Sequence, residues 1–175
     1  MTNLFGEIKR TISERYIKIV LPEGTDERVL QAAFNLYNEG LVTPVLVGPH
    51  ELVNVAATQA GIDLTGIEIV DPVKYDHLEE MIEKFVERRN GKVTSVQARI
   101  QLKDVNTFGT MLVYTGYAQG LVSGAIHTTA DTVRPALQII KTQPGVSKTS
   151  GAIIMVRGEE RYVFADCAIT IAPTS

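Results

Sequence analysis

The sequence predicts an α/β protein with an open, mainly parallel sheet and helices on both faces, a three-layer αβα arrangement. Short apolar runs rich in β-branched residues alternate with longer segments whose apolar residues recur at helical spacing. This alternation is typical of βαβ units, in which right-handed crossovers place helices on both sides of a parallel sheet. The length of 175 residues suits one domain or slightly more.

Three strand–helix units are predicted in the first half of the chain. The strands are expected at 17–21, 44–48 and 67–70. The helices that follow them are expected to end near Gly40, Gly61 and Gly91. Thr25 or Asp26 is the expected N-cap of the first helix, because either side chain can accept a hydrogen bond from a free helix N–H group.

The middle of the chain departs from this alternation. A short helix is expected at 93–103, with Thr94 as its cap. The segment 106–118 is apolar nearly all round, which is typical of a buried helix. Its glycines, Gly109 and Gly116, are expected to let neighbouring elements approach closely.

The best candidate for a domain boundary is the stretch KTQPGVSKTSG, which is rich in glycine, proline and serine. We therefore expect a first α/β domain at 1–145 and the start of a second α/β domain at 146–175. The second segment predicts two apolar strands around a Gly-Glu-Glu-Arg turn, with Cys167 as a small buried hydrophobic residue. Two strands cannot bury both of their faces, so this second domain is expected to be truncated.

Composition and charge argue against several classes of protein. The chain is 45% hydrophobic and 21% charged, an ordinary balance for a soluble globular protein. Its net charge of -3, without a long basic tract, argues against binding to nucleic acid. The N-terminus does not resemble a signal peptide, and no apolar run suits a membrane span. A single cysteine excludes an intramolecular disulfide, so we expect a cytoplasmic protein.

One strand-to-helix turn, at 122–135, carries an unusual concentration of polar groups between a predicted strand, 120–125, and a predicted helix, 131–142. The candidate binding residues are Ser123, Gly124, His127, Thr128, Thr129, Asp131 and Arg134. Ligands of open α/β sheets bind beyond the carboxyl ends of the strands, and helix N-termini favour anions. Since Arg134 adds a planar fork suited to phosphate oxygens, the turn predicts a phosphate or carboxylate site that needs no metal.

Several of these residues also have a structural alternative. Asp131 could be only a helix cap, and the helix is expected to begin near Asp131 or Thr132, because Pro135 suits a first turn. His127 could be structural or merely exposed, and the two threonines could satisfy backbone groups of the turn. Arg134 is the most suggestive residue, because a cation near a helix N-terminus is unfavourably placed unless an anion lies nearby. That anion could be Asp131 or a ligand.

Several segments of the chain resemble the phosphate acetyltransferase family. These segments are LPEGTDERVLQAA, VLVG, IVDP, GLVSGAIHTTADTVRPALQIIKT and FADCAI. They occur in the family's order and spacing, and the chain corresponds to the N-terminal half of the family's usual length. The resemblance implies the reversible conversion of acetyl-CoA and phosphate into acetyl phosphate and CoA. It also implies two α/β domains with the active site in the cleft between them, a homodimer, and CoA as a substrate with no further cofactor.

The resemblance also implies roles for two arginines as catalytic residues. Arg134, in DTVRPA, matches the family's arginine at the phosphate end of acetyl phosphate. Arg89, in FVERRNGK, matches a second functional arginine, and the double arginine leaves Arg88 as an alternative. At least one of that pair could simply suit a helix C-terminus. The family's thiol base and its serine-arginine pair belong to the half of the family that this sequence lacks, so we expect this chain alone to be inactive.

Two rival functions remain open at this point. A relative of the phosphate butyryltransferases would transfer a longer acyl group. A non-catalytic domain that binds acetyl-CoA would serve regulation, but such a domain need not retain an arginine for phosphate. The motif block therefore favours an acetyltransferase.

Overall fold

The computed structural model describes residues 4–13, 15–146 and 148–165. These residues fall into two compact units, one at Leu4–Ile140 and one that begins at Lys141. The first unit contains the sheet and the candidate site, and the second contains a hairpin.

Four parallel strands form the sheet of the first unit. They are β1 (Lys18–Leu21), β2 (Thr43–Val47), β3 (Glu68–Val70) and β4 (Gly120–Leu121), in the order β3-β2-β1-β4. Val20 of β1 lies opposite Val45 on one side and Leu121 on the other. The predicted α/β class with a parallel sheet is confirmed for this unit.

Strand β4 is shorter than the predicted strand at 120–125. The backbone N–H of Val122 still donates to the carbonyl of Val20, at 3.0 Å. The N–H groups from Gly124 onward leave the ladder and donate to a side chain instead. The predicted strand was too long because the sequence does not show locally that a side chain from another loop accepts these hydrogen bonds.

Seven helices lie in the described part of the first unit. They are α1 (Leu4–Ser13), α2 (Glu27–Asn38), α3 (His50–Ala60), α4 (Leu78–Arg88), α5 (Ser95–Gln101), α6 (Val105–Tyr114) and α7 (Thr129–Ile139). Asp26, rather than Thr25, caps α2, and Thr94 caps α5 in a capping box as expected. Helix α1 was not predicted, and it has no buried residue.

Two apolar clusters lie on opposite faces of the sheet, because successive side chains of a strand point to opposite sides. One contains Val20 and Val45 with residues of α4, α5, α6 and α7. The other contains Leu21 and Leu46 with residues of α2 and α3. The predicted three-layer αβα arrangement is therefore confirmed.

Helix α6 packs directly on β1 and β4 through Gly109. A Cβ atom at Gly109 would lie 2.8 Å from the side chain of Leu121 and 3.0 Å from that of Val20. The expected close approach is confirmed at this position. It is wrong at Gly116, which has no atom within 4 Å of such a Cβ and instead has φ +82° in the turn after α6.

Helix α7 begins earlier than expected, and the predicted start near Asp131 or Thr132 was wrong. Thr128 is the N-cap and accepts a hydrogen bond from the backbone N–H of Asp131, at 3.2 Å. Pro135 therefore lies inside the helix, where it removes the hydrogen bond that the Asp131 carbonyl would accept. The side chain of Pro135 is buried.

The second unit contains an antiparallel hairpin of β5 (Ala152–Arg157) and β6 (Glu160–Ala165), as the sequence predicted for this segment. Gly158, at φ +61°, lies in the turn. Every residue of both strands is exposed, including Ile154 and Val163. Cys167 lies outside the described residues.

Candidate functional site

The candidate site lies where the strand order reverses. The chain moves from β1 outward to β2 and β3, and then returns to place β4 on the other side of β1. The loop after β1 and the turn after β4 therefore meet at the carboxyl ends of two neighbouring strands. This position is the usual ligand crevice of an open α/β sheet.

The Glu23 side chain occupies the centre of the turn after β4. Its carboxylate accepts hydrogen bonds from the backbone N–H groups of Gly124, Ala125, Ile126 and His127, at 3.1, 2.7, 2.8 and 2.9 Å. The ring Nδ1 of His127 also lies 2.8 Å from Glu23 Oε1. We call residues 124–127 the Glu23 turn. Its successive backbone N–H groups form an anion-binding site, and the carboxylate of Glu23 occupies that site.

Glu23 is buried, with 3% of its surface exposed. Burial alone would raise the pKa of its carboxyl group, because water stabilises the charged form. Hydrogen bonds from the backbone of Ile126, from the backbone and ring of His127 and from the backbone of Ala125 outweigh burial and lower the pKa to about 2. Glu23 is therefore ionised throughout the neutral range.

Arg28 attaches the same turn to helix α2. Its guanidinium donates to the carbonyl of Ala125, at 2.7 Å, and pairs with Asp26 at 2.9 Å. The pairing with Asp26 raises the pKa of Arg28. Thus the segment after β1 holds the Glu23 turn through a carboxylate and a guanidinium.

Ser123, immediately before the Glu23 turn, also has an internal partner. Its hydroxyl donates to Asn106 Oδ1, at 2.7 Å. Asn106 is 1% exposed, and its Nδ2 has no hydrogen-bond partner among the described residues. Ser123 and Gly124, both predicted site residues, are therefore engaged with the protein itself.

The two threonines after the turn serve the start of α7. Thr128 donates its hydroxyl to Asp131 Oδ2, at 2.6 Å, while its oxygen caps the helix. This hydroxyl hydrogen bond is the main reason that the pKa of Asp131 is lowered. Thr129 is the first residue of α7 and is exposed.

A pocket of about 370 Å³ opens beside the turn and collects four of the predicted site residues. They are Arg89, His127, Asp131 and Arg134. The remaining predicted residues, Ser123, Gly124, Thr128 and Thr129, lie outside its lining. Helices α4 and α7, far apart in sequence, thus bring the two predicted arginines to one cavity.

Arg89 and Arg134, which we call the arginine pair, have unused donors. Arg134 forms no hydrogen bond and no ion pair within 4 Å to the described residues, although its charge, after the hydrogen bond from Thr128, helps to lower the pKa of Asp131. Arg89 reaches only the carbonyl of Gln138, at 3.5 Å, and its buried Nε has no partner among the described residues. Both guanidiniums can therefore bind an anion in the pocket.

Arg88, the alternative to Arg89, has a different role. Its guanidinium donates to the carbonyls of Ile139 and Ile140 at the end of α7 and lies over the ring of Tyr114. These carbonyls belong to the unsatisfied end of a helix, where a cation is favourable. The structure places Arg89, and not Arg88, in the lining of the pocket.

Two carboxylates in the pocket lining are also engaged. Asp131 pairs with Thr128, and Asp104 Oδ1 accepts from both the backbone N–H and the hydroxyl of Thr107.

A separate pocket of about 280 Å³, lined by Tyr75 and Tyr117, contains Lys84, but this ammonium is paired with Glu80 at 2.6 Å. The pocket with the arginine pair is therefore the better anion site.

Sequence reasoning missed the role of Glu23, although its segment, LPEGTD, was noted. The turn signals there drew attention to helix capping by Thr25 and Asp26. The available signal was a carboxylate directly after a buried strand, at the edge of the sheet where ligands bind. Its partners lie about a hundred residues later in the chain, so pairing could not be read locally.

Two other features are absent from the described part of the chain. No group of three or more His, Cys, Asp or Glu side chains is placed to hold a metal ion in residues 4–13, 15–146 and 148–165. None of the helices in those ranges has the length and apolar character needed to cross a membrane.

Known families and proteins are similar to this chain over nearly its whole length. A family model described as phosphate acetyl/butaryl transferase matches residues 3–175. The phosphate acetyltransferase of Bacillus subtilis is 53% identical over 175 residues, which are 100% of this chain and 54% of that protein. The phosphate acetyltransferase of Staphylococcus epidermidis is 53% identical over 169 residues, covering 97% of this chain and 51% of that protein. The chain spans about half the length of the curated relatives it matches.

Two solved structures are similar to this chain over nearly its whole length, at about the same level of sequence identity. The EutD phosphotransacetylase from Staphylococcus aureus has a TM-score of 0.91 and 52% identity, covering 95% of this chain and 51% of that one. A phosphotransacetylase from Streptococcus pyogenes has a TM-score of 0.92 and 50% identity, covering 99% of this chain and 54% of that one.

Proposed function

The chain belongs to the phosphate acetyl/butaryl transferase family, and we propose that it forms the phosphate-binding part of an acetyltransferase. The proposed reaction converts acetyl-CoA and phosphate into acetyl phosphate and CoA, reversibly and in a ternary complex. Acetyl-CoA or CoA and phosphate or acetyl phosphate are then the small-molecule partners.

The observation that carries this proposal is the arginine pair. Arg89 and Arg134 come from different helices to one pocket, and both have donors that the described residues leave unused. A guanidinium presents its N–H groups in a planar fork that matches two oxygens of a phosphate. The two side chains together can bind the phosphoryl group of acetyl phosphate or inorganic phosphate itself.

The chemistry follows from what such a pocket can stabilise. The thiolate of CoA attacks the carbonyl carbon of acetyl phosphate, a C–S bond forms, and the C–O bond to phosphate breaks. The electron pair of that bond leaves on the phosphate oxygen. Arg89 and Arg134 would stabilise the charge that grows on this leaving group. By the family resemblance, the base for the CoA thiol belongs to the half that this sequence lacks.

Two alternatives remain, transfer of a butyryl group and a regulatory role. The names of the relatives bear on the first, and the presence of the arginine pair bears on the second. The matching family covers both acetyl and butyryl transfer, while the relatives at 53% identity are named phosphate acetyltransferases. This similarity favours acetyl over butyryl transfer. A regulatory domain would not need the arginine pair, so its presence favours catalysis.

The remaining parts of the proposal rest on the family resemblance. We infer a cytoplasmic homodimer that uses CoA as a substrate and needs no metal or further cofactor. The net charge of -3 supports the absence of a nucleic-acid partner. Sedimentation of a full-length protein that carries this sequence as its first half would test the dimer.

The decisive experiment is an activity assay on such a full-length protein. Release of free CoA from acetyl-CoA should require phosphate, and acetyl-CoA should be used better than butyryl-CoA. A preference for butyryl-CoA would replace the proposed substrate, and the absence of any turnover would support a regulatory domain.

The same assay on residues 1–175 alone should detect no turnover, because the groups that form the thiolate are expected elsewhere. Turnover within tenfold of the full-length protein would contradict this expectation. His127, Asp131 and Asp166, the last of which lies outside the described residues, would then be the leading candidates for the base.

A further inference from the structure

We infer that Glu23 is a positioning residue of the pocket, which holds His127 so that its Nε2 can bind a phosphate oxygen beside the arginine pair. The inference rests on the proposed function, because it assumes that phosphate binds in that pocket. It adds a residue from the loop after β1 to a pocket whose lining comes from the ends of α4 and α5, the start of α6, the turn after β4 and helix α7.

The Glu23 carboxylate fixes which ring nitrogen of His127 carries the proton. The Glu23 carboxylate is buried and receives four backbone N–H groups, so it is ionised and can only accept hydrogen bonds. His127 Nδ1, 2.8 Å from Glu23 Oε1, must therefore be the protonated nitrogen that donates to it. In neutral His127 this leaves Nε2 as an unprotonated acceptor.

The same carboxylate fixes the orientation of the His127 ring. Glu23 Oε1 accepts from both the backbone N–H and the ring Nδ1 of His127, so one oxygen holds main chain and side chain together. Rotating the ring by half a turn would break the second of these hydrogen bonds. The His127 side chain retains 25% of its exposure and lies in the lining that contains Arg89 and Arg134. Since Nδ1 faces Glu23, the opposite edge, with Nε2, is the edge available to a ligand.

Glu23 also restricts where phosphate can bind. Successive backbone N–H groups form a concave seat that could hold a phosphate by themselves. In the Glu23 turn that seat is already filled by a carboxylate, and a second anion there would be repelled. Glu23 therefore directs phosphate away from the turn and toward Arg89, Arg134 and His127. Inorganic phosphate carries both P–OH and P–O⁻ groups, so Nε2 can bind it either as an acceptor or, in the imidazolium, as a donor.

Two variants separate this role from a purely structural one. His127→Asn keeps an amide N–H near the position of Nδ1 but removes Nε2. Glu23→Gln keeps the size of the side chain but removes its charge and one of its acceptor oxygens. His77→Asn is the matched control, because the side chain of His77 is 70% exposed and lies away from the pocket with the arginine pair.

The measurement is NMR of the 175-residue chain titrated with inorganic phosphate, together with its thermal unfolding. Long-range proton–nitrogen spectra should show His127 in a single tautomer with the proton on Nδ1, and phosphate should shift its Nε2 signal. His127→Asn should unfold near the wild-type temperature and bind phosphate about tenfold more weakly. Glu23→Gln should mix the two tautomers and also weaken phosphate binding, whereas His77→Asn should bind as the wild type does.

Arg134→Lys in the same titration separates a failure of the proposed phosphate pocket from a failure of the proposed role of Glu23. If the wild type binds no phosphate, or Arg134→Lys binds it normally, the proposed phosphate pocket is wrong and the role of Glu23 falls with it. If Arg134→Lys loses phosphate while His127→Asn binds it as tightly as the wild type, only the inference about Glu23 and His127 is overturned. Should Glu23→Gln fail to fold, the result for His127→Asn decides.

Discussion

The Glu23 turn and the arginine pair are both rich in hydrogen-bond donors, but they differ in whether those donors are already used. In the turn, the backbone N–H groups of residues 124–127 donate to one buried carboxylate. In the pocket, Arg134 forms no hydrogen bond to the described residues, and Arg89 has a buried Nε without a partner there. The turn stabilises the fold, while the pair remains available for a ligand.

This difference explains why a cluster of donors in a sequence is an ambiguous sign of a binding site. Buried donors must be satisfied, and the folded chain satisfies them internally wherever it can. Ser123, Gly124 and Thr128 were candidate ligands by position, yet each has an internal partner. A donor that stays free in the folded state is the more informative observation.

The largest expected effect is the loss of activity on changing Arg134 to Lys in a full-length protein that carries this sequence. Lysine keeps the charge but loses the planar fork, and a lost contact to a desolvated anion costs about 2–5 kcal/mol. Activity should therefore fall roughly 30-fold or more, while thermal unfolding should change little. Arg10→Lys, on the exposed helix α1, is the control. Near-normal turnover of Arg134→Lys would show that the pair is not a phosphate site.

The next effect concerns the stability that the Glu23 turn supplies. Folding lowers the pKa of Glu23 from 4.5 to about 2, so its contribution is about 3 kcal/mol above pH 4.5. As the pH falls, the unfolded chain takes up the proton first, so this stability is lost between pH 4.5 and about 2. Urea unfolding of the wild type and of Glu23→Gln, at pH 6 and at pH 3, measures this pH-dependent contribution of Glu23 to the free energy of unfolding.

The difference in unfolding free energy between these two proteins should narrow by about 2 kcal/mol on going from pH 6 to pH 3. Comparing the variants removes the contribution of the other carboxylates, which titrate in both proteins. An unchanged difference would mean that Glu23 is not ionised in the turn at neutral pH.

A smaller effect should distinguish the two neighbouring arginines at the end of α4. Arg89→Lys should lower activity about tenfold with little change in stability, because its guanidinium faces the pocket. Arg88→Lys should do the reverse and lower the free energy of unfolding by about 1 kcal/mol, because it loses contacts to the carbonyls of Ile139 and Ile140. Activity assays and urea unfolding of both variants test this. The opposite pattern would assign the functional role to Arg88.

The smallest expected effect is that of metal removal. If guanidiniums hold the phosphate, exhaustive treatment of the full-length protein with EDTA should leave its activity unchanged. Activity that is lost on chelation and restored by one particular metal would show that the arginine pair does not act alone.

Much of the fold could be predicted because its signals are local. Helices α2, α3 and α4 follow the spacing of their apolar residues, and the strands between them are short apolar runs. The errors lie where a distant group intervened. Strand β4 ended early because Glu23 took the next N–H groups, and α7 began early because Thr128 caps it although Pro135 then lies inside the helix.

The sequence by itself determined the α/β class and the order of the main elements, since periodicity is a property of the chain, and it marked Arg134 as a candidate ligand by its place in the turn. Arg89 became a candidate only through the family resemblance, with Arg88 as its alternative. Only the tertiary structure decided which donors remain available. Glu23 reaches the turn at 124–127 because parallel strands β1 and β4 are neighbours in the sheet, and Arg88 is separated from Arg89 because it meets the end of α7. Whether a polar group is free depends on which other polar groups the fold brings within about 3 Å of it, and sequence spacing does not contain that information.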